Sequence, residues 1–339
     1  MSLTTSSSTD ASPINPSLAF SIPIHGTFDI AARYCEPEVV VPSRTNSLQL
    51  LVHGGQYDRN YWSGEDPPGR GYSGDKYSWI SFASKQGYPT LSIDRLGNGL
   101  SDHPDPIAVV QMPTHVEVSH AIVKIARAGK FPLPRIFSKI IYVGHSFGSL
   151  IGNSLNAKYP NDVDATVLTG FGSDLEAVAA IDNFQLQPAS IANPEKYGDL
   201  PAGYVQPTSQ SGFFFEFYYP GGYEPVFAAY QYSIRGTQTV GEGVTANSAV
   251  QIALKYKAPV FVISGQHDNI FCNPKCSSSK IGDCGRGAKS LLAKTAELYP
   301  AASRYDWYAV PNAGHCWQLN YNSNDGMHAT HDWLAAQYF

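Results

Sequence analysis

Lys139–Tyr159 reads KIIYVGHSFGSLIGNSLNAKY. Its first five residues form a short run of strand formers, and Phe147–Tyr159 has the spacing of a helix. Between them, Gly144–Gly148 matches G-x-S-x-G. The pattern alone says little, because the chain holds 30 glycines and such short motifs recur by accident. GYSGD at Gly71–Asp75 is a near miss that follows no strand. Context gives Gly144–Gly148 its meaning. A buried strand, a sharp turn and a helix place Ser146 with its hydroxyl exposed, and the flanking glycines let neighbouring backbone come close.

Five further apolar runs end in turn residues: Leu48–Val52 before His53-Gly54-Gly55, Thr90–Asp94 before a Gly-rich loop, Ala165–Thr169, Pro259–Ser264 and Tyr305–Val310. Continuous apolar runs suit strands covered on both faces, as in a parallel sheet. Helical candidates fall at Tyr77–Gln86, His115–Ala128, Phe147–Tyr159, Gly287–Leu298 and His328–Gln337. Alternating strands and helices predict a doubly wound α/β architecture with ligands beyond the carboxyl ends of the strands. Phe20–His25 and Phe28–Tyr34 are expected to open the chain as a hairpin. Residues 172–250 break the rhythm and read as a lid or cap inserted into a core of residues 20–171 and 251–339. The alternative of a separate second domain is opposed by the segment's shortness and its glycine and proline content.

The 339 residues are 43% hydrophobic and 15% charged, with a net charge of −5 and no basic block. That balance argues against a nucleic-acid partner, which requires a positive field. No apolar run approaches the ~20 residues of a membrane span. Residues 1–19 read as a flexible polar leader without the basic and apolar regions of a secretory signal. Compartment and oligomeric state are not legible. Of Cys35, Cys272, Cys276, Cys284 and Cys316, three crowd into CNPKCSSSKIGDC. This loop is expected to carry a disulfide. Free thiols are the alternative, and a metal site is disfavoured because the cysteine and histidine spacings do not match one.

A serine hydroxyl needs a base, and the base needs an acid to orient it. Asp268 follows the fifth run in GQHDNIF, and His315 follows the sixth in PNAGHCW, both on loops at strand ends. Asp174, after the fourth run, is a rival acid. His328 and His331 fall inside the predicted last helix and are poorer bases. A tetrahedral oxyanion needs fixed donors. The backbone N–H of Phe147 is one candidate, and Gly55 or Gln56 in VHGGQYD supplies the other. A plain strand-ending turn is the bland reading of that loop. Tyr57, next along it, is a candidate substrate contact. So are Phe213, Phe215 and Phe217 in the aromatic run Phe213–Tyr223; as a strand, they would share one face. The competing reading is that the run packs the insert onto the core.

VHGG, DRLGNGLSD, GHSFG, GQHD and NAGH, in this order, resemble the motifs of the α/β-hydrolase superfamily over nearly the whole chain after Phe20. Opening phrases such as FDIAARYCEP resemble a group of fungal hydrolases. The resemblance implies a mostly parallel eight-stranded sheet with helices on both faces, a lid after the sixth strand, and no cofactor or metal. Relatives that cleave epoxides or carbon–halogen bonds carry Asp where Ser146 stands, which argues against both chemistries. The family pattern does not account for Cys316. The expected function is hydrolysis of a carboxylic ester or lactone of a fairly apolar small molecule through an acyl-enzyme on Ser146. The alternatives are an acyltransferase or lyase with the same triad, or a non-catalytic ligand-binding protein.

Overall fold

The computed structural model describes residues 2–7, 24–175, 182–273 and 280–339. The chain opens with β1 (Ser2–Ser7), β2 (Ile24–Asp29) and β3 (Ala32–Cys35). β1 pairs antiparallel with β2, so part of the segment read as a flexible leader is a strand; residues 8–23 lie outside the described residues. The expected opening hairpin does not form. β3 instead lies antiparallel to β5 (Thr90–Ile93), whose residues are all buried, at the edge of the main sheet.

That sheet contains β4 (Ser47–Val52), β5, β6 (Lys139–His145), β7 (Ala165–Thr169), β11 (Val260–Gly265) and β12 (Tyr305–Val310), together with β3. The spatial order is β12-β11-β7-β6-β4-β5-β3, and every pair but β3–β5 is parallel. It has seven strands among the described residues, where the resemblance implied eight. The six apolar runs are its six parallel strands.

Side chains alternate across the sheet, as strand geometry demands. Leu48, Leu50, Val52, Ile140, Tyr142, Val260 and Val262 bury themselves with helices Met112–Ala128 and Phe147–Lys158. Leu51, Ile141, Val143, Phe261 and Ile263 face the opposite layer, with helices Trp79–Lys85 and Ser323–Ala336. The expected helix at Gly287–Leu298 breaks into three short turns.

The chain runs outward from β4 to β5 and then returns to place β6 on the other side of β4. The topological switch therefore lies between β4 and β6, which is where a crevice opens in such sheets. The His53-Gly54-Gly55 loop and Ser146 stand at the carboxyl ends of these two strands.

Between β7 and β11 the chain builds a small antiparallel sheet from β8 (Leu186–Pro188), β9 (Tyr204–Pro207) and β10 (Gln238–Thr239). Helices Gln210–Phe217, Pro225–Ile234 and Val240–Thr245 accompany it. The aromatic run is helical and not a strand. Ser209 caps it by accepting from the N–H of Gly212 at 3.0 Å, and the helix puts Phe213 and Phe217, four residues apart, on one buried face. Phe215 falls on another face and is half-buried.

Candidate active site

Ser146 sits at φ 53°, ψ −115°, between β6 and helix Phe147–Lys158. A left-handed φ is costly for a side chain with a Cβ and persists only where its surroundings impose it. Here they do. A Cβ on Gly148 would lie 2.0 Å from the Val52 carbonyl oxygen, and one on Gly144 would lie 2.4 Å from that of Gly148. Only glycine on both sides allows β6 to turn so sharply into the helix. Ser146 is held at its own N–H by the Thr169 carbonyl at 2.9 Å and remains partly exposed.

Asp268 and His315 are brought together from the ends of β11 and β12. His315 Nδ1 lies 2.9 Å from Asp268 Oδ2, and both side chains are fully buried. The other carboxylate oxygen accepts the N–H groups of Ile270 at 2.8 Å and Phe271 at 3.0 Å. Ser264 donates to Oδ2. Burial pushes the Asp268 carboxyl up. The charge and hydrogen bond of His315 outweigh it, with Ser264 and Phe271 assisting, and hold the carboxyl below its ordinary value. An ionised Asp268 can only accept, so Nδ1 of His315 carries the proton and Nε2 of the neutral ring is left with a lone pair. Nε2 is buried and has no hydrogen-bond partner among the described residues. The ring lies 4.9 Å from that of His145, the neighbour of Ser146. Asp174, the rival acid, is exposed.

The imidazole of His315 is sandwiched. Phe217 stacks on it at 5.7 Å and Phe271 at 5.9 Å. Phe217 thus brings the insert directly over the candidate base. Phe213 stands behind it, fully buried and 4.6 Å from the Phe217 ring. Phe215 is joined to the loop after β11 through its carbonyl, which accepts from Asn269. Tyr57 is buried, packs on Phe217 at 5.6 Å, and meets Cys316 Sγ through its hydroxyl at 3.3 Å. Cys316, unexplained by the sequence pattern, is a fully buried thiol wedged between Tyr57 and His145 Nε2, the latter at 3.5 Å. Burial pushes that thiol well up, so it stays protonated and packs as a small apolar group.

The backbone N–H groups of Phe147, Gly55 and Gln56 have no acceptor among the described residues. Gln56 has φ 68°, and its side-chain Nε2 donates at 2.9 Å to Oε1 of Gln238, a residue of the insert. Sequence reasoning missed Gln238, Ser264, Glu216 and the partners of Arg95, since all are polar residues whose only signal is contact across the fold. Asp94, in the Gly-rich loop after β5, is structural: it gathers the N–H groups of Arg59 and Leu100, each at 2.8 Å. Among the described residues no group of His, Cys, Asp and Glu is arranged to hold a metal. A disulfide joins Cys272 to Cys284, as the loop composition suggested; Cys276 lies outside the described residues. No helix among them is long and apolar enough to cross a membrane.

A model of the alpha/beta hydrolase family matches residues 49–324. No curated protein matches the chain. Among solved structures, a thermophilic esterase from Thermogutta terrifontis is similar at 15% identity and TM-score 0.59, covering 100% of both chains. A proline iminopeptidase from Mycobacterium smegmatis is similar at 16% identity and TM-score 0.55, covering 92% of this chain and 96% of its own. A putative non-heme bromoperoxidase from Mycobacterium tuberculosis is similar at 14% identity and TM-score 0.56, covering 92% and 97%. At these identities the likeness is one of fold.

Proposed function

The chain belongs to the α/β-hydrolase family, and from that premise we propose that it is a serine hydrolase cleaving a carboxylic ester or lactone of a fairly apolar small molecule. One observation carries the reading. A buried imidazole, fixed at Nδ1 by an ionised carboxylate, keeps Nε2 unpartnered beside the strained turn that presents Ser146.

On this reading Nε2 of His315 takes the Ser146 proton as Oγ bonds to the substrate's carbonyl carbon. The carbonyl oxygen becomes an oxyanion held by the N–H group of Phe147 and by that of Gly55 or Gln56. The intermediate collapses, His315 protonates the departing alkoxide, and an acyl group stays on Oγ. Water then repeats the sequence, giving up a proton to Nε2 and releasing the acid. Asp268 keeps the imidazole in the right tautomer and stabilises its charged form. The insert acts as a lid: Phe217 and Tyr57 offer an apolar wall beside the reacting centre, which suits an apolar ligand.

The full burial of His315 beneath Phe217 gives acyl transfer a footing as a second reading, because a covered site hinders water. Product analysis with and without an alcohol acceptor separates the two.

The test of the main reading is a screen of esters, lactones and thioesters against the wild type and Ser146→Ala. At least one class should be turned over, with a loss of several orders of magnitude in the variant at unchanged folding. Comparable turnover in both proteins would end the serine mechanism.

A further inference from the structure

The site described so far leaves one buried charge cluster unused. Arg95, from the Gly-rich loop after β5, and Glu242, from the insert's helix Val240–Thr245, form an ion pair with both side chains fully buried. His115, from helix Met112–Ala128, reaches the same Glu242 Oε1 at 2.8 Å. Glu242 cannot swing away. Its Oε2 accepts the N–H of Thr239 at 2.8 Å, and its own N–H reaches Thr239 Oγ1 at 3.1 Å, closing a capping box. Burial would push the Glu242 carboxyl up, but Arg95 and His115 hold it at about 2, so it is ionised and balances the guanidinium. Burial pushes His115 down. It is neutral and donates through Nε2, so the 3.4 Å approach of Arg95 Nη1 to that atom is a contact of two donors.

The far side of Arg95 points at the nucleophile's neighbourhood. Its Nη2 donates to the Gly54 carbonyl at 3.3 Å, and its guanidinium lies 5.5 Å from the Phe147 ring centroid. The backbone N–H of Arg95 donates to His53 Nε2 at 3.0 Å. That bond leaves the proton of the neutral His53 on Nδ1, which donates to the same Gly54 carbonyl at 2.8 Å. Two donors therefore aim one carbonyl. The peptide is planar and trans, so fixing the Gly54 C=O fixes the Gly55 N–H in the opposite direction. This peptide borders the nucleophile: a Cβ on Gly54 would lie 2.9 Å from Ser146 Cβ.

We propose that Arg95 and Glu242 are positioning residues for the oxyanion hole: Glu242, carried by the insert, seats Arg95, and Arg95 with His53 aims the Gly55 N–H at the carbonyl oxygen of the substrate. The inference rests on the serine-hydrolase reading and adds to it. It selects Gly55 over Gln56 as the second donor, and it makes the competence of the hole depend on the docking of the insert.

The test uses the full chain and a fluorophosphonate probe, whose attack by Ser146 also places an oxygen in the hole. Arg95→Met/Glu242→Gln removes both charges together, which avoids stranding one in the interior. Arg95→Lys is the second variant, keeping the ion pair and losing the fork that reaches Gly54. The maximal labelling rate should fall about 10–100-fold in the double variant, less than or equal to the loss of a whole oxyanion donor. It should fall about 10-fold in Arg95→Lys by the same reasoning. The half-saturating probe concentration and the pH at which labelling is half-maximal should stay as in the wild type. An unchanged maximal rate per folded molecule in Arg95→Lys overturns the proposal, as does a change confined to half-saturation. Wild type that fails to label overturns the serine-hydrolase reading and this inference with it; labelled wild type with equally fast variants overturns this inference alone.

Discussion

Glu216 offers a sharp test of how the insert is seated. It lies on helix Gln210–Phe217, one residue before the phenylalanine that covers His315, and its side chain is fully buried. Oε1 accepts from Asn183 at 2.6 Å, and Oε2 has no hydrogen-bond partner among the described residues. Burial raises its carboxyl. The Asn183 bond opposes that only in part, the charge of Asp268 adds to it, and the result is about 8 against an ordinary 4.5. The folded state therefore holds a proton that the unfolded state releases above 4.5. Stability from this group is fully present below that value and is lost as the pH rises toward 8. Each unit of pH in the window is worth about 1.4 kcal/mol. Glu216→Gln, which keeps the shape and cannot ionise, should therefore gain on the wild type by about 3–4 kcal/mol between pH 5 and pH 8. Denaturant melts of both proteins at pH 5, 6, 7, 8 and 9 measure the difference. It should grow steadily to pH 8 and then level off. A difference constant to within about 0.5 kcal/mol, the usual scatter of a neutral substitution, would refute the assignment of a buried, protonated Glu216.

Further outcomes are expected for the aromatic helix and for the disulfide. Phe213 is interior to the insert while Phe217 touches the candidate base, so Phe213→Ala should cost about 3–5 kcal/mol of stability with selectivity unchanged. Phe217→Ala should instead shift the kcat/KM ratio of two esters of different bulk by about 1–3 kcal/mol per lost contact; a ratio that does not move removes Phe217 from the site. The bridge Cys272–Cys284 closes a separation of 12 residues, and Cys272→Ser/Cys284→Ser should lower stability by about 3 kcal/mol through the freed loop. Thiol counting on denatured, unreduced wild type should find fewer than five, and five free thiols would dispose of the bridge.

The parts of this protein that were legible in its sequence are those governed by local rules. Six apolar runs became six parallel strands because burial on both faces demands continuous apolarity, which shows in any window of five residues. GHSFG was readable because its turn depends on glycines two residues either side of Ser146. Asp268 and His315 were readable because each follows its strand directly. The misreadings share another cause. FFFEFYY carries aromatic residues at every position but Glu216, so neither a twofold nor a 3.6-fold period shows in it. Ser209 and the apolar surface beneath settled it as a helix and separated Phe213 and Phe217 from Phe215. The hairpin expected near Phe28 failed because strand pairing is a choice among distant partners: Ala32 of β3 pairs with Ile93 of β5, 61 residues further along the chain.

Whatever rests on polar contact between distant segments was decided by tertiary structure alone. Arg95 stood inside a recognised motif, yet nothing near it in sequence announces that its charge is balanced by Glu242, 147 residues away. Cys316 looked anomalous beside His315 until Tyr57 and His145 enclosed it. A single polar side chain leaves no periodic trace, since its energy comes from the one partner that burial forces on it. The sequence by itself determined the α/β framework and which serine, acid and histidine stand at its strand ends. Only the folded chain decided how the insert lies on them, because that depends on matching buried groups from opposite ends of the molecule.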